Sequence, residues 1–287
     1  MLQHIILGIV LPILAAAACT LLFRALSDDE ESGLRRGAAL GLGLAFAVGH
    51  WIILAWPPLP PVDSTHWLAY LALAAALLGL VEGGPGLPAA VRWGLRLILA
   101  AGTVWLIGKP ILQNSMDGAQ AALALVGLTL GLLVLWTEID QLAARTPGVS
   151  LPLALTVLAT ATSVALVLSY TASLGQLTGS LAAGLGTLAA AALLFSKLKL
   201  DRGASGVAST LLGGLWISGY FYASLPLYSL LLLWLSPSAL WLAEAGPLRD
   251  LNPWVKAALR ALLIAIPAAA AAYLAHQANA TPDDYSY

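Results

Sequence analysis

Charge is what this sequence has least of. Of its 287 residues only 9% are Asp, Glu, Lys or Arg, against roughly a quarter in soluble domains. So few charged side chains cannot cover a chain of this length in water. That excludes a soluble globular protein. The formal net charge is −1 and the basic residues are scattered, which excludes a nucleic-acid-binding face. Cys19 is the single cysteine, so there is no intramolecular disulfide and no thiolate metal cluster. No Asp or Glu falls in the middle of an apolar run, which weighs against a proton- or sodium-coupled scheme built on membrane carboxylates.

What is present is hydrocarbon. Hydrophobic residues make up 60% of the chain, with a mean hydropathy of +0.88. The apolar runs are continuous and rich in Leu and Ala, where a β-barrel would alternate. The expected fold is therefore all-α: a polytopic integral membrane bundle of about ten transmembrane helices. It forms one multi-span domain over residues 1–276, followed by a short polar tail over 277–287.

Nine boundaries divide the chain into ten spans. They are expected at 2–23, 37–56, 64–81, 88–107, 118–136, 151–170, 175–195, two within 206–243, and 253–276. The stretch 206–243 is too long for one crossing and divides at Ser224-Leu225-Pro226. Asp63 or Ser64 is the expected N-cap of the third span. Pro12, Pro237 and Pro267 are expected to kink their helices. Gly37-x-x-x-Gly41 and Gly127-x-x-x-Gly131 have the small-residue spacing that lets helices approach closely.

Alternating ten spans across a bilayer sorts the cations. Arg24, Arg35, Arg36, Arg92, Arg96, Arg145, Lys197, Lys199, Arg202, Arg249, Lys256 and Arg260 fall on one side, and Lys109 alone on the other. By the positive-inside rule the first side is cytoplasmic, so both termini lie outside, in a cytoplasmic-type membrane. Arg96 and Arg260 sit about two turns inside their helices, from where they are expected to snorkel to the inner headgroups.

Chemistry-bearing residues concentrate between Gly49 and Trp67, GHWIILAWPPLPPVDSTHW, at the outer side. His50, Asp63 and His66 form a candidate metal or haem site there, with His4 and His276 also expected on that face. No H-x-x-x-H or similar ligand spacing accompanies them. Thr156, Thr160 and Ser163 share a face of the sixth span, and Ser209 and Tyr220 lie on the eighth. These five are the candidate lining of a substrate path. Hydroxyls inside membrane helices also bond back to the preceding turn.

Arg202-Gly203-Ala204-Ser205-Gly206 resembles the GxSG nucleophile motif of rhomboid intramembrane proteases, and Ala275-His276 resembles their histidine helix. The resemblance covers these residues only. It implies a Ser–His pair within hydrogen-bond reach, whereas Ser205 is expected inside and His276 outside, ~30 Å apart. In size and span count the chain is similar to the drug/metabolite transporter superfamily, which implies two inverted five-helix repeats. That family keeps both termini inside.

Three functions fit. One is a permease or exporter for a small neutral or amphipathic solute. The second is a non-catalytic structural or assembly subunit, docking partners through the Arg24–Arg36 and Lys197–Arg202 loops. The third is an outer-face metal- or haem-binding protein. No enzyme chemistry and no cofactor are expected. The expected partners are the bilayer, other membrane proteins or a second copy of the chain, and not nucleic acid.

Overall fold

The computed structural model describes residues 2–84, 86–146, 148–244, 248 and 252–280, with backbone only for residues 2–5. Arg249, the side chain of His4 and tail residues 281–287 lie outside the described set. Ten helices follow in order: α1 (Leu2–Leu26), α2 (Glu30–Leu54), α3 (Trp67–Glu82), α4 (Ala89–Asn114), α5 (Gly118–Arg145), α6 (Ser150–Leu168), α7 (Ala172–Leu194), α8 (Ala204–Tyr222), α9 (Leu227–Leu235) and α10 (Pro253–Ala280). A 3-10 turn (Ser64–His66) precedes α3, and a 3-10 segment (Ser236–Glu244) continues α9. No strand occurs among the described residues. The chain is an all-α, multi-pass bundle of the membrane-spanning type.

Among the described residues, nine segments are long and apolar enough to cross a membrane. The tenth crossing, α8, falls outside that set because serine, threonine, glycine and tyrosine dilute it. Yet every residue from Ala204 to Gly219 is buried. α8 packs against α2, α3, α4, α5, α6, α7 and α9, so it meets protein and not lipid. A helix enclosed in this way needs small residues for close approach more than it needs apolarity. Gly213 lies under the Leu132 side chain, and Gly214 faces Leu68 and Ile107.

The expected break before α9 is present, with Pro226 as the N-cap of α9. At Ser236-Pro237 the helix tightens to 3-10 geometry, since Pro237 has no N–H to donate and Ser236 Oγ bonds back to the Leu232 carbonyl at 2.7 Å. The looser rise of a 3-10 helix stretches residues 227–244 to about 31 Å, enough for a ~30 Å hydrocarbon core.

Several ends extend past their expected limits. The polar stretch after Trp136 is not a loop: α5 continues through Thr137, Glu138 and Asp140 to Arg145. α4 continues past Pro110 to Asn114, and α10 takes in residues 277–280. Gly37 and Gly41 bring α2 onto α1, where an added Cβ on Gly37 would lie 2.8 Å from Thr20 Cα. Gly127 faces open space, while Gly131 lies against the Trp234 indole. Trp216, mid-helix in α8, donates to Thr162 Oγ1 at 3.1 Å and packs against Trp234 with the rings tilted at 52°.

Alternation of the helices appears directly in the contacts. The start of α2, the end of α3, the first turns of α4, the last turns of α5 and the α7–α8 connection meet at one end, through Lys197–Glu30, Arg96–Glu82, Arg96–Asp140 and Arg35–Asp201 pairs. This is the basic end. At the opposite end Ser64 bonds Tyr222, Tyr222 bonds the Ile107 carbonyl, and Tyr170 bonds the Asn279 carbonyl. That histidine end also receives the start of α1, whose Gly8 carbonyl accepts from Ser180 at 2.7 Å.

Candidate functional site

The basic end is where most of the chain's charges converge, and they do so in pairs. Arg96 does not snorkel. Its residue is 2% exposed, and its guanidinium grips Glu82, the last residue of α3, with Nε to Oε1 at 2.8 Å and Nη2 to Oε2 at 2.6 Å. The same Nη2 reaches Asp140 Oδ2 on α5 at 3.2 Å. Carboxylates from two neighbouring helices replace the water that snorkelling would have sought. Arg260 is likewise buried, bonded to Glu244 and to Ser150 Oγ.

Asp140 also organises the start of α8. Its Oδ1 accepts from Ser205 Oγ and from the Arg202 backbone N–H, each at 2.8 Å. That holds Arg202 in the left-handed region (φ 49) just ahead of α8 and ties the Ser205 side chain to α5. Asp201 pairs with Arg35 at 3.0 Å. Burial pushes the Asp201 carboxyl above its ordinary range, helped by the Asp140 charge and opposed chiefly by Arg35. Glu31 joins Arg35 to Lys199, and Glu30 joins Arg24 to Lys197. The two charged loops expected to hold partners are thus bound to each other.

Beside this network a cleft opens laterally. One part, about 450 Å³, lies between α5 and the 3-10 segment, with Leu130, Leu133 and Val134 on its wall and Glu138, Ser238 and Trp241 beyond. The other, about 300 Å³, is lined by Arg92, Arg96, Asp140, Asp201 and Arg202. They adjoin on Trp93, Thr137 and Gln141. Glu138 accepts from Trp241 Nε1 at 3.0 Å, and Arg145 lies over the Trp241 ring.

At the histidine end, the rings of His50 and His66 are brought together, 6.2 Å apart and edge to face. His50 is fully enclosed near the end of α2. Neither of its ring nitrogens makes a well-formed hydrogen bond, although the Thr65 and Ala55 backbones lie close by. Asp63 is turned to the backbone: its Oδ1 accepts from Thr65 N and Thr65 Oγ1, capping the turn as expected. Among the described residues no group of three or more His, Cys, Asp or Glu is arranged to hold a metal ion. A polar groove of about 490 Å³ passes over His66, Ser64, Thr171, Ser173 and Tyr222.

An unpaired buried polar atom costs about 1–3 kcal/mol. His50→Leu is therefore expected to unfold at the wild-type midpoint or above it in a detergent melt. A clear loss would reveal a partner for the imidazole, such as a bound metal or water.

The candidate path residues are held by separate contacts. Thr156 Oγ1 bonds to the Pro152 carbonyl and Thr160 Oγ1 to the Thr156 carbonyl. Ser163 Oγ crosses to the Gly175 carbonyl of α7 at 2.6 Å, beside a small apolar cavity of about 190 Å³. Ser209 is enclosed, its Oγ on the Ser205 carbonyl at 2.7 Å, and the Tyr220 ring lies tilted against Phe221. Ser205 and His276 lie at opposite ends, so the rhomboid-like pairing does not form.

Comparison with protein-family models, curated proteins and solved structures found no match to this chain. The residues that sequence reasoning missed are Glu82, Asp140 and Asp201. Their one signal was an arginine two turns inside α4 with carboxylates near the same ends of neighbouring spans.

Proposed function

We propose that this chain is a structural or assembly subunit of a membrane complex, non-catalytic and not itself a conduit, with its basic end facing the cytoplasm. The observation that carries the reading is the closure of the bundle around α8. The helix at the centre, where a path would run, is buried at every residue from Ala204 to Gly219. The hydroxyls that would line a path are bonded to carbonyls.

Closure of the basic end supports the same reading. Alternating access requires helix groups to part at each end in turn. Parting α3 from α4 here would strip Arg96 from Glu82 in an enclosed site, and breaking a buried pair costs about 3–5 kcal/mol. Since the charged loops are bound to one another, partners are expected on the lateral helix faces, of which α5 and α1 are the least enclosed.

In a Cys19→Ala background, cysteines placed at Thr156 and Ser209 are expected to resist a membrane-impermeant maleimide in intact vesicles. Labelling at Ser209 would restore the permease reading. Cross-linking in native membranes is expected to shift the chain above monomer mass. A chain that stays a lone monomer removes the assembly role.

A further inference from the structure

The lateral cleft at the basic end has an amphipathic gradient that the bundle's own packing leaves unused. Along α5, Leu130 to Gln141 spans about 16 Å. That matches one leaflet of a ~30 Å hydrocarbon core. The cleft thus runs from near mid-bilayer to the headgroup level. Its deep part is walled by Leu130, half exposed at 55%, and Val134, at 63%. Its shallow part is walled by charge.

That charge is unbalanced once internal pairs are removed. Three guanidiniums and two carboxylates line the shallow part. Arg96 is held by Glu82 and Asp140, and Asp201 is paired with Arg35. Both Asp140 oxygens are occupied by Arg96, Ser205 and the Arg202 backbone. Arg92 and Arg202 remain. Neither side chain makes a hydrogen bond or ion pair among the described residues, and Arg202 acts on Asp201 only through space. Trp93, 44% exposed, stands where the two parts meet. An indole there suits the interface between acyl chains and headgroups.

We propose that one anionic phospholipid of the basic-end leaflet occupies this cleft, its phosphate between Arg92 and Arg202 and an acyl chain along Leu130 and Val134. Two spare cations facing a negatively charged group at headgroup depth, above an apolar wall, are the pattern by which basic pockets between spanning helices recognise anionic lipid. A bound lipid neither requires nor excludes partner subunits.

Delipidated protein in detergent, titrated by native mass spectrometry, provides the test. Phosphatidylglycerol is expected to bind at least about tenfold more tightly than phosphatidylcholine of the same chains. The double variant Arg92→Ala/Arg202→Ala is expected to abolish that preference, and Lys197→Ala, an exposed cation at the same end, to preserve it. Val134→Trp, which fills the apolar wall and leaves every charge in place, is expected to weaken both lipids. A preference that survives the double variant overturns the proposal, as does an equal loss in Lys197→Ala. Glycerol phosphate binding as tightly as the intact lipid also overturns it, by assigning the two arginines to a soluble phosphate.

Discussion

Replacing Arg96 by methionine is expected to destabilise the bundle by about 3–5 kcal/mol, read as a fall in the detergent unfolding midpoint. The size follows from what is left behind. The Glu82 side chain has no solvent exposure and its two oxygens are both turned to Arg96. Without the guanidinium it stays as an enclosed carboxylate facing a second one, Asp140. The double variant Arg96→Met/Glu82→Met is expected to recover most of the loss, because a buried ion pair replaced whole by apolar groups is often neutral or better. Asp140 keeps Ser205 and the Arg202 backbone in that variant. Arg24→Ala, whose partner Glu30 is solvent-accessible, is expected to change stability by no more than about 1 kcal/mol. If Arg96→Met melts like Arg24→Ala, the network does not hold the basic end.

Gly43→Leu is expected to cost on the order of 3 kcal/mol or more through overpacking. A Cβ at position 43 would lie 2.5 Å from Ala76 Cβ and 2.7 Å from the Ala72 carbonyl, so α2 would have to move off the α3 backbone. No flexible side chain is there to yield. Gly102→Leu is the contrast: nothing lies within 4 Å of its Cβ position, and it should melt at or above wild type, since Gly is about 1 kcal/mol poorer than Leu inside a helix. Equal behaviour of the two variants would show that α2 and α3 are not in close contact.

The course of the chain was legible because a bilayer makes simple demands. Apolar runs of crossing length must be helices, and the sorting of twelve cations against Lys109 is only consistent with alternating directions. The break at Ser224–Pro226 announced itself by excess length. Pairing between helices was not legible. Arg96 gave its depth within α4, but not the arrival of Glu82 and Asp140 at the same depth from α3 and α5. Thr137 to Arg145 looked like a loop because they are polar; in the helix Glu138 and Asp140 find partners on neighbouring segments, Trp241 and Arg96. The hydroxyls of α6 and α8 looked like a path because sequence shows which face they share, and not that the carbonyls one turn back already hold them. His50 and His66 did come together, as two residues flanking one short loop can, while Asp63 was claimed by the turn it caps.

The 3-10 segment gives the ninth crossing its length. Nine residues rising ~2.0 Å in place of ~1.5 Å add about 4–5 Å over an all-α course. Wound as α-helix throughout, residues 227–244 would reach only about 27 Å, short of a ~30 Å hydrocarbon core. The missing N–H of Pro237 thus does for this segment what extra residues do for the longer helices. Trp241 in the lengthened part bonds Glu138 of α5, so the same geometry that completes the crossing also fastens one side of the bundle's flank.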